Sequence, residues 1–124
     1  MPFYILYIPH NTIYYDVEEM QMERYNSRVI DEMGKVVLPG DIRHKLGLNE
    51  SDKLQLTSIA TVVIAIKTKD EPVADSPICV LDDLGRIELP RCIRQKHGWQ
   101  TKNKLAVYNT DNIIILKLDE RQIQ

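Results

Sequence analysis

The 124-residue sequence predicts a mainly β protein with short helices, made of two tandem βαβ-type repeats around one core. Three observations lead there. The segment DEMGKVVLPGDIRHKLG at 31–47 returns as DDLGRIELPRCIRQKHG at 82–98, with a register that stays constant (Gly34 to Gly85, an offset of 51) and continues into Lys53-Leu54 against Lys104-Leu105. Each copy has the same punctuation: a β-branched run, a glycine, a second apolar run, a proline and a short stretch ending in glycine. Each copy, at about 45 residues, lies near or below the size at which a chain buries enough surface to fold alone, so the two are expected to share a core.

The elements follow in order. Residues 1–25 form an N-terminal extension that holds Tyr4, Tyr7, Tyr14, Tyr15 and Tyr25, five of the six tyrosines. Such a cluster suits a protein-binding surface, or an added strand or helix covering the edge of the fold, which is the expectation preferred here. Thr12 to Tyr15 suits a strand, and Asp16-Val-Glu-Glu19 suits the cap of a short helix. The first repeat spans 26–67 and the second 78–118, joined by a linker at 68–77 and followed by a tail at 119–124. In each repeat a short strand (Arg28 to Asp31, Ile78 to Asp82) reaches a turn at Gly34 or Gly85, where the missing Cβ permits positive φ. A return strand follows (Val36 to Leu38, Ile87 to Leu89), and the two are expected to pair as a hairpin.

Pro39 and Pro90 stop the return strands and suit the first turn of a helix. Gly47 and Gly98 suit its left-handed end, with Leu48 and Trp99 folding back on the last turn. Ile42 and Leu46 face the core, while Arg43, His44 and Lys45 fall towards solvent; in the second copy His97 replaces the leucine and reads as a partly buried packing residue. A longer hairpin completes each repeat: Lys53 to Thr57 with Thr61 to Lys67, and Lys104 to Tyr108 with Asn112 to Leu118. Asn109-Thr-Asp-Asn112 has strong turn chemistry, whereas Ser58-Ile-Ala-Thr61 is weak as a turn.

Composition narrows the function classes. With 44% apolar and 27% charged residues the chain reads as a folded globular protein. Its longest apolar runs, Phe3 to Ile8 and Thr61 to Ile66, fall far short of the roughly 20 residues needed to span a bilayer, so no membrane partner is expected. No basic stretch precedes the first run, so a cytoplasmic location is the expectation. Cys79 and Cys92 occupy non-equivalent places and lack C-x-x-C spacing, which suggests two buried thiols, with no metal, cofactor or disulfide. The net charge of −2 is uneven: Asp16, Glu18, Glu19 and Glu23 against Arg24 leave the extension at −3, while 26–70 stands at +1 and 71–124 at zero. A DNA-binding face would have to come from gathering cations on one side.

The combined pattern Asp-x-x-Gly-Lys/Arg-Val/Ile-x-Leu-Pro-x-x-Ile-Arg, then a glycine-ended turn and two more strands, resembles the AbrB or SpoVT swapped-hairpin domain across both repeats. Members of that family are mostly dimeric bacterial or archaeal DNA-binding proteins in which two copies exchange hairpins to form one barrel. With both copies on one chain, as in the MraZ-like branch, the resemblance implies an AbrB-like swapped-hairpin β-barrel formed as an intramolecular pseudo-dimer. A ten-residue linker reaches roughly 33 Å when extended, enough for this. Exchange between two chains uses the same contacts, so a homo-oligomer is the alternative.

The resemblance further implies a sequence-specific transcriptional regulator of double-stranded DNA, nucleoid-associated, with contacts from Arg28, Lys35, Arg43 and His44 in the first copy and Arg86, Arg94 and Gln95 in the second. Lys45, Arg91 and Lys96 extend that patch. The second copy departs from the pattern with Cys79 in place of Arg28, and the first with Asp41 among its helix cations. The halves are therefore non-equivalent, and a perfect palindromic operator is not expected. An alternative reading on the same fold is a MazE-like antitoxin that holds its toxin through residues 1–25. An enzyme is not expected: His10, His44 and His97 lie in unrelated contexts, and no spacing marks a nucleophile with its base.

Overall fold

The computed structural model describes residues 22–68 and 76–119 in full and residues 3–8 and 11–16 as backbone strands. In chain order the elements are β1 (Phe3–Ile8), β2 (Asn11–Asp16), β3 (Glu23–Val29), β4 (Lys35–Val37), α1 (Gly40–Lys45), β5 (Lys53–Ile59), β6 (Val62–Lys67), β7 (Ile78–Val80), β8 (Arg86–Glu88), α2 (Arg91–His97), β9 (Lys104–Thr110) and β10 (Ile113–Leu118). The fold is mainly β with two short helices, as expected. β1 and β2 pair antiparallel in a sheet of their own, with Leu6 opposite Ile13. The other strands form an open six-stranded antiparallel sheet in the order β3-β9-β10-β6-β5-β7, and a two-stranded pair, β4 with β8.

The sheet order interleaves the copies. The β5–β6 hairpin of the first lies beside the β9–β10 hairpin of the second through the β6–β10 ladder, where Ile64 stands opposite Ile115. Each outer flank comes from the other copy: β3 adds to β9 with Arg28 opposite Leu105, and β7 adds to β5 with Cys79 opposite Leu54. At the centre Val36 stands opposite Ile87. Every one of these pairings maps onto itself or onto another under the repeat offset. A pseudo-two-fold axis therefore passes through the Val36/Ile87 and Ile64/Ile115 pairs.

This corrects the expected hairpin within each copy. The turns form as predicted, with Gly34 at φ +76° and Gly85 at +75° and with Asp31 N–H donating to the Lys35 carbonyl at 2.8 Å. Beyond them the return strands turn to each other and leave their own opening strands. The reason is burial: β4 paired with β8 brings Val36, Leu38, Ile87 and Leu89 together at the axis, all no more than 1% exposed. A return strand held to its own opening strand would not join the two copies' apolar residues there.

The helices keep most of their predicted grammar. Pro39 and Pro90 precede the first turn, with extended ψ of 136° and 145°, one position earlier than expected. Both helices end in a Schellman arrangement: Leu48 N–H donates to Arg43 O at 2.8 Å and Gly47 N–H to His44 O, while Trp99 N–H donates to Arg94 O at 2.9 Å and Gly98 N–H to Gln95 O. The left-handed glycine satisfies the last carbonyls and turns Leu48 and Trp99 into the core, both buried.

The long hairpins are tighter than the sequence suggested. Their loops are only Ala60–Thr61 and Asp111–Asn112, with Ile59 opposite Val62 and Thr110 opposite Ile113. Asn109, expected in the turn, is a buried strand residue whose Nδ2 donates to the carbonyls of Asp111 and Ile113 and braces the loop from beneath. β3 starts at Glu23, so the strand crosses the expected boundary at residue 25. Residues 69–75 of the linker and 120–124 of the tail lie outside the described residues, as do the side chains of Tyr4, Tyr7, Tyr14 and Tyr15 and the cap predicted over 16–19.

One core joins the copies, drawing Leu54, Leu56, Val63 and Ala65 from the first hairpin and Leu105, Val107, Ile114 and Leu116 from the second. Ile64, Ile113 and Ile115 form a second buried cluster on the other face of the sheet. Burial on both faces explains why β6 and β10 read as continuous apolar runs without alternation. Cys79 is buried, which pushes its thiol up to about 12. Cys92 is exposed on α2, correcting the expectation of two buried thiols. No helix among the described residues is long and apolar enough to cross a membrane.

A shared core predicts one cooperative transition. Ile87→Ala empties a fully buried position on the axis and is expected to cost about 2–5 kcal/mol. Urea unfolding followed by circular dichroism and by Trp99 emission should shift together in a single step; two separated transitions would refute the shared core.

Candidate nucleic-acid interface

The two turns that precede β4 and β8 are built by their own aspartates. Asp31 Oδ1 accepts the N–H groups of Met33 at 2.9 Å and Lys35 at 2.8 Å. Asp82 Oδ1 accepts those of Leu84 and Arg86 at the same two distances. Each carboxylate closes its turn with one oxygen and keeps the other for a cation. Asp82 Oδ2 takes Arg86 Nε at 2.9 Å and Lys35 Nζ of the other copy at 3.5 Å, while Asp31 Oδ2 takes Arg86 Nη1 at 3.4 Å. The guanidinium fork reaches both carboxylates, which the single ammonium of Lys35 does not.

Burial raises the cost of ionising Asp82, but the Arg86 and Leu84 N–H groups and the Arg86 guanidinium outweigh it and hold the carboxyl down at about 2.

The helix arginines cross the axis. Arg43 Nε donates to Leu38 O at 3.1 Å, and Arg94 Nε to Leu89 O at 3.0 Å. Each guanidinium then lies over the turn glycine of the opposite copy. A Cβ on Gly85 would sit 2.6 Å from Arg43 Cζ, and one on Gly34 would sit 2.9 Å from Arg94 Cζ. Both glycines are buried and both arginines half-buried. Arg43 was expected to fall towards solvent. It is instead half-enclosed, because the carbonyl that ends its own strand and the bare glycine backbone across the axis hold its stem and head. Ion pairs of Arg43 and Arg94 with Asp31 and Asp82 do not form among the described residues; Lys35 and Arg86 take those carboxylates.

The structure thus brings Lys35, Arg43, Arg86 and Arg94 together on two facing turns. His44, Lys45, Arg91, Gln95 and Lys96 are exposed on the two helices. Arg28 is placed differently. Its ladder partner is the core residue Leu105, and its Nε is buried without a hydrogen-bond partner among the described residues, so the side chain leaves the sheet on the core side. Its counterpart Cys79 is wholly in the core. The sequence reading missed the packing of arginine on glycine. The signal available was that Gly34 and Arg43 are both retained, at the same spacing, as Gly85 and Arg94.

No group of three or more His, Cys, Asp or Glu side chains that could hold a metal ion occurs among the described residues. Comparison with protein-family models, with curated proteins and with solved structures finds no match to this chain.

Two outcomes follow from the crossed turns. Gly85→Ala combines a left-handed φ with a Cβ placed on Arg43, and is expected to destabilise by about 1–3 kcal/mol in urea unfolding. Combining it with Arg43→Gln should be less than additive, since the obstructing head is gone. The depressed Asp82 carboxyl contributes stability above its unfolded value near 4 and loses that contribution as pH falls towards 2. Carboxyl NMR should show Asp82 titrating near 2, and Arg86→Gln should move it upward.

Proposed function

We propose that the chain is a duplex-DNA-binding transcriptional regulator of the AbrB or SpoVT swapped-hairpin type, with the two halves of the usual dimer joined in one polypeptide. The observation that carries this reading is the convergence of Lys35, Arg43, Arg86 and Arg94 on two turns related by a pseudo-two-fold axis. Duplex DNA has local two-fold symmetry, and a protein that offers paired cations about its own two-fold can meet both strands at once. Exchange of the opening strands between copies, with β4 and β8 paired across the axis, supports the swapped-hairpin barrel. In this reading 26–67 and 78–118 are the halves and 68–77 their connection.

The residues divide by how firmly they are held. Lys35 and Arg86 are pre-oriented by Asp31 and Asp82, and Arg43 and Arg94 by strand-end carbonyls, so these four present charge with little ordering cost on binding. His44, Lys45, Arg91, Gln95 and Lys96 are free to adapt to bases or phosphates. Arg28, with its Nε buried on the core side, is given no contact in this reading, and its place in the second half is Cys79. The halves differ there and at Asp41, so the preferred site is an imperfect palindrome.

Binding to labelled duplexes selected from a random pool tests this. With about six phosphates contacted, log K should fall against log salt with a slope near −5. Lys45→Gln with Lys96→Gln should reduce that slope by about two without changing stability, and Arg43→Gln with Arg94→Gln should weaken binding at least tenfold. Absence of duplex binding, or affinities unchanged in both double variants, would overturn the reading.

A further inference from the structure

One surface feature differs in its side chains from the equivalent place in the other half. Between the Ala60–Thr61 loop of the first copy and the end of α2 in the second lies an open cleft of about 520 Å³, lined by Lys96, His97, Trp99, Lys117 and Leu118. Under the repeat offset the residues equivalent to His97, Trp99 and Lys117 are Leu46, Leu48 and Ile66, and those equivalent to Ala60 and Thr61 are Asp111 and Asn112. The first copy's version of this place keeps Lys45 for Lys96 but has aliphatic side chains for His97, Trp99 and Lys117 and a carboxylate at its loop, and its other cation, Lys67 in place of Leu118, is tied to Asp52 and to the Gly47 carbonyl.

The cleft's chemistry is specific. His97 stacks on Trp99 with ring centroids 4.8 Å apart and 30° between the planes, so the half-buried imidazole covers the buried indole and is the aromatic ring next to the cleft. A hydrogen bond between His97 Nε2 and Ser58 Oγ of the first copy holds that ring in place. Burial, reinforced by the neighbouring Lys96, pulls the imidazole below its ordinary value and favours the neutral ring. Lys96 and Lys117 line the same cleft, and neither is ion-paired among the described residues. No carboxylate lines the cleft among the described residues.

We propose that this cleft binds a small anion with a planar, largely apolar body, the plane packing against the imidazole of His97 and the carboxylate or phosphate meeting Lys96 and Lys117. Flat rings stack favourably on aromatic faces, and an anion meeting two free ammonium groups makes charge-assisted hydrogen bonds. The proposal does not depend on DNA binding, and its test contains no DNA.

Trp99 is the sole tryptophan, so its single indole N–H resonance is an unambiguous probe beside this cleft. Titration of the full chain with 2-naphthoate should shift that resonance saturably. Neutral 2-naphthol and inorganic phosphate, each lacking half of the chemistry, should bind at least tenfold more weakly. Lys117→Gln should weaken naphthoate about tenfold, whereas Lys53→Gln, the same change of charge at an exposed strand position, should leave it unchanged. No saturable shift with naphthoate, equal binding of phosphate or naphthol, or undiminished affinity in Lys117→Gln would each overturn the proposal.

Discussion

The opening strand of each copy is hydrogen-bonded to the other copy's hairpin, β3 to β9 and β7 to β5, and the rest of the structure depends on that exchange. A strand carries obligatory backbone donors and acceptors that must be paired when buried. Here they are paired only across copies, so neither repeat is complete without its twin. The exchange also commits β4 and β8 to meet at the axis, where their apolar faces close the core from the side opposite the β6–β10 seam. Two units near or below the size that folds alone thereby share one core.

The same crossing builds the cationic turns. Once β4 and β8 pair, each turn glycine lies against the arginine of the helix that follows the other copy's strand, and the absence of a Cβ leaves room for that guanidinium. Aspartates that shape the turns also hold Lys35 and Arg86. Fold and site therefore share their parts: a change at Gly34, Gly85, Asp31 or Asp82 disturbs packing and charge together. The exposed helix residues can vary without that penalty, which makes them the natural place for a preference between ligands to be set.

Duplication within one chain frees the halves to diverge, and some of the differences change what the core and surface present. Arg28 faces Leu105 where Cys79 faces Leu54. His97, Trp99 and Lys117 occupy places that in the first half are Leu46, Leu48 and Ile66. The β-pairing about the axis is unaffected, because ladder hydrogen bonds come from the backbone and the substitutions change only what projects from it.

Much of this was legible beforehand. The repeat, the positive-φ turn glycines, the glycine-ended helices and the inward faces of Val36, Leu38, Ile87 and Leu89 follow from local rules that act over a few residues: turn stereochemistry, capping and alternation. The sequence by itself determined these, along with the need for a shared core. It did not determine which strand pairs with which, because β4 presents the same edge to its own β3 or to β8, and only the burial won at the axis decides between them. Nor did it place Asn109 in a strand or turn Arg43 onto Gly85. Those are contacts between residues far apart in the chain, decided by the tertiary packing that brings the two copies together.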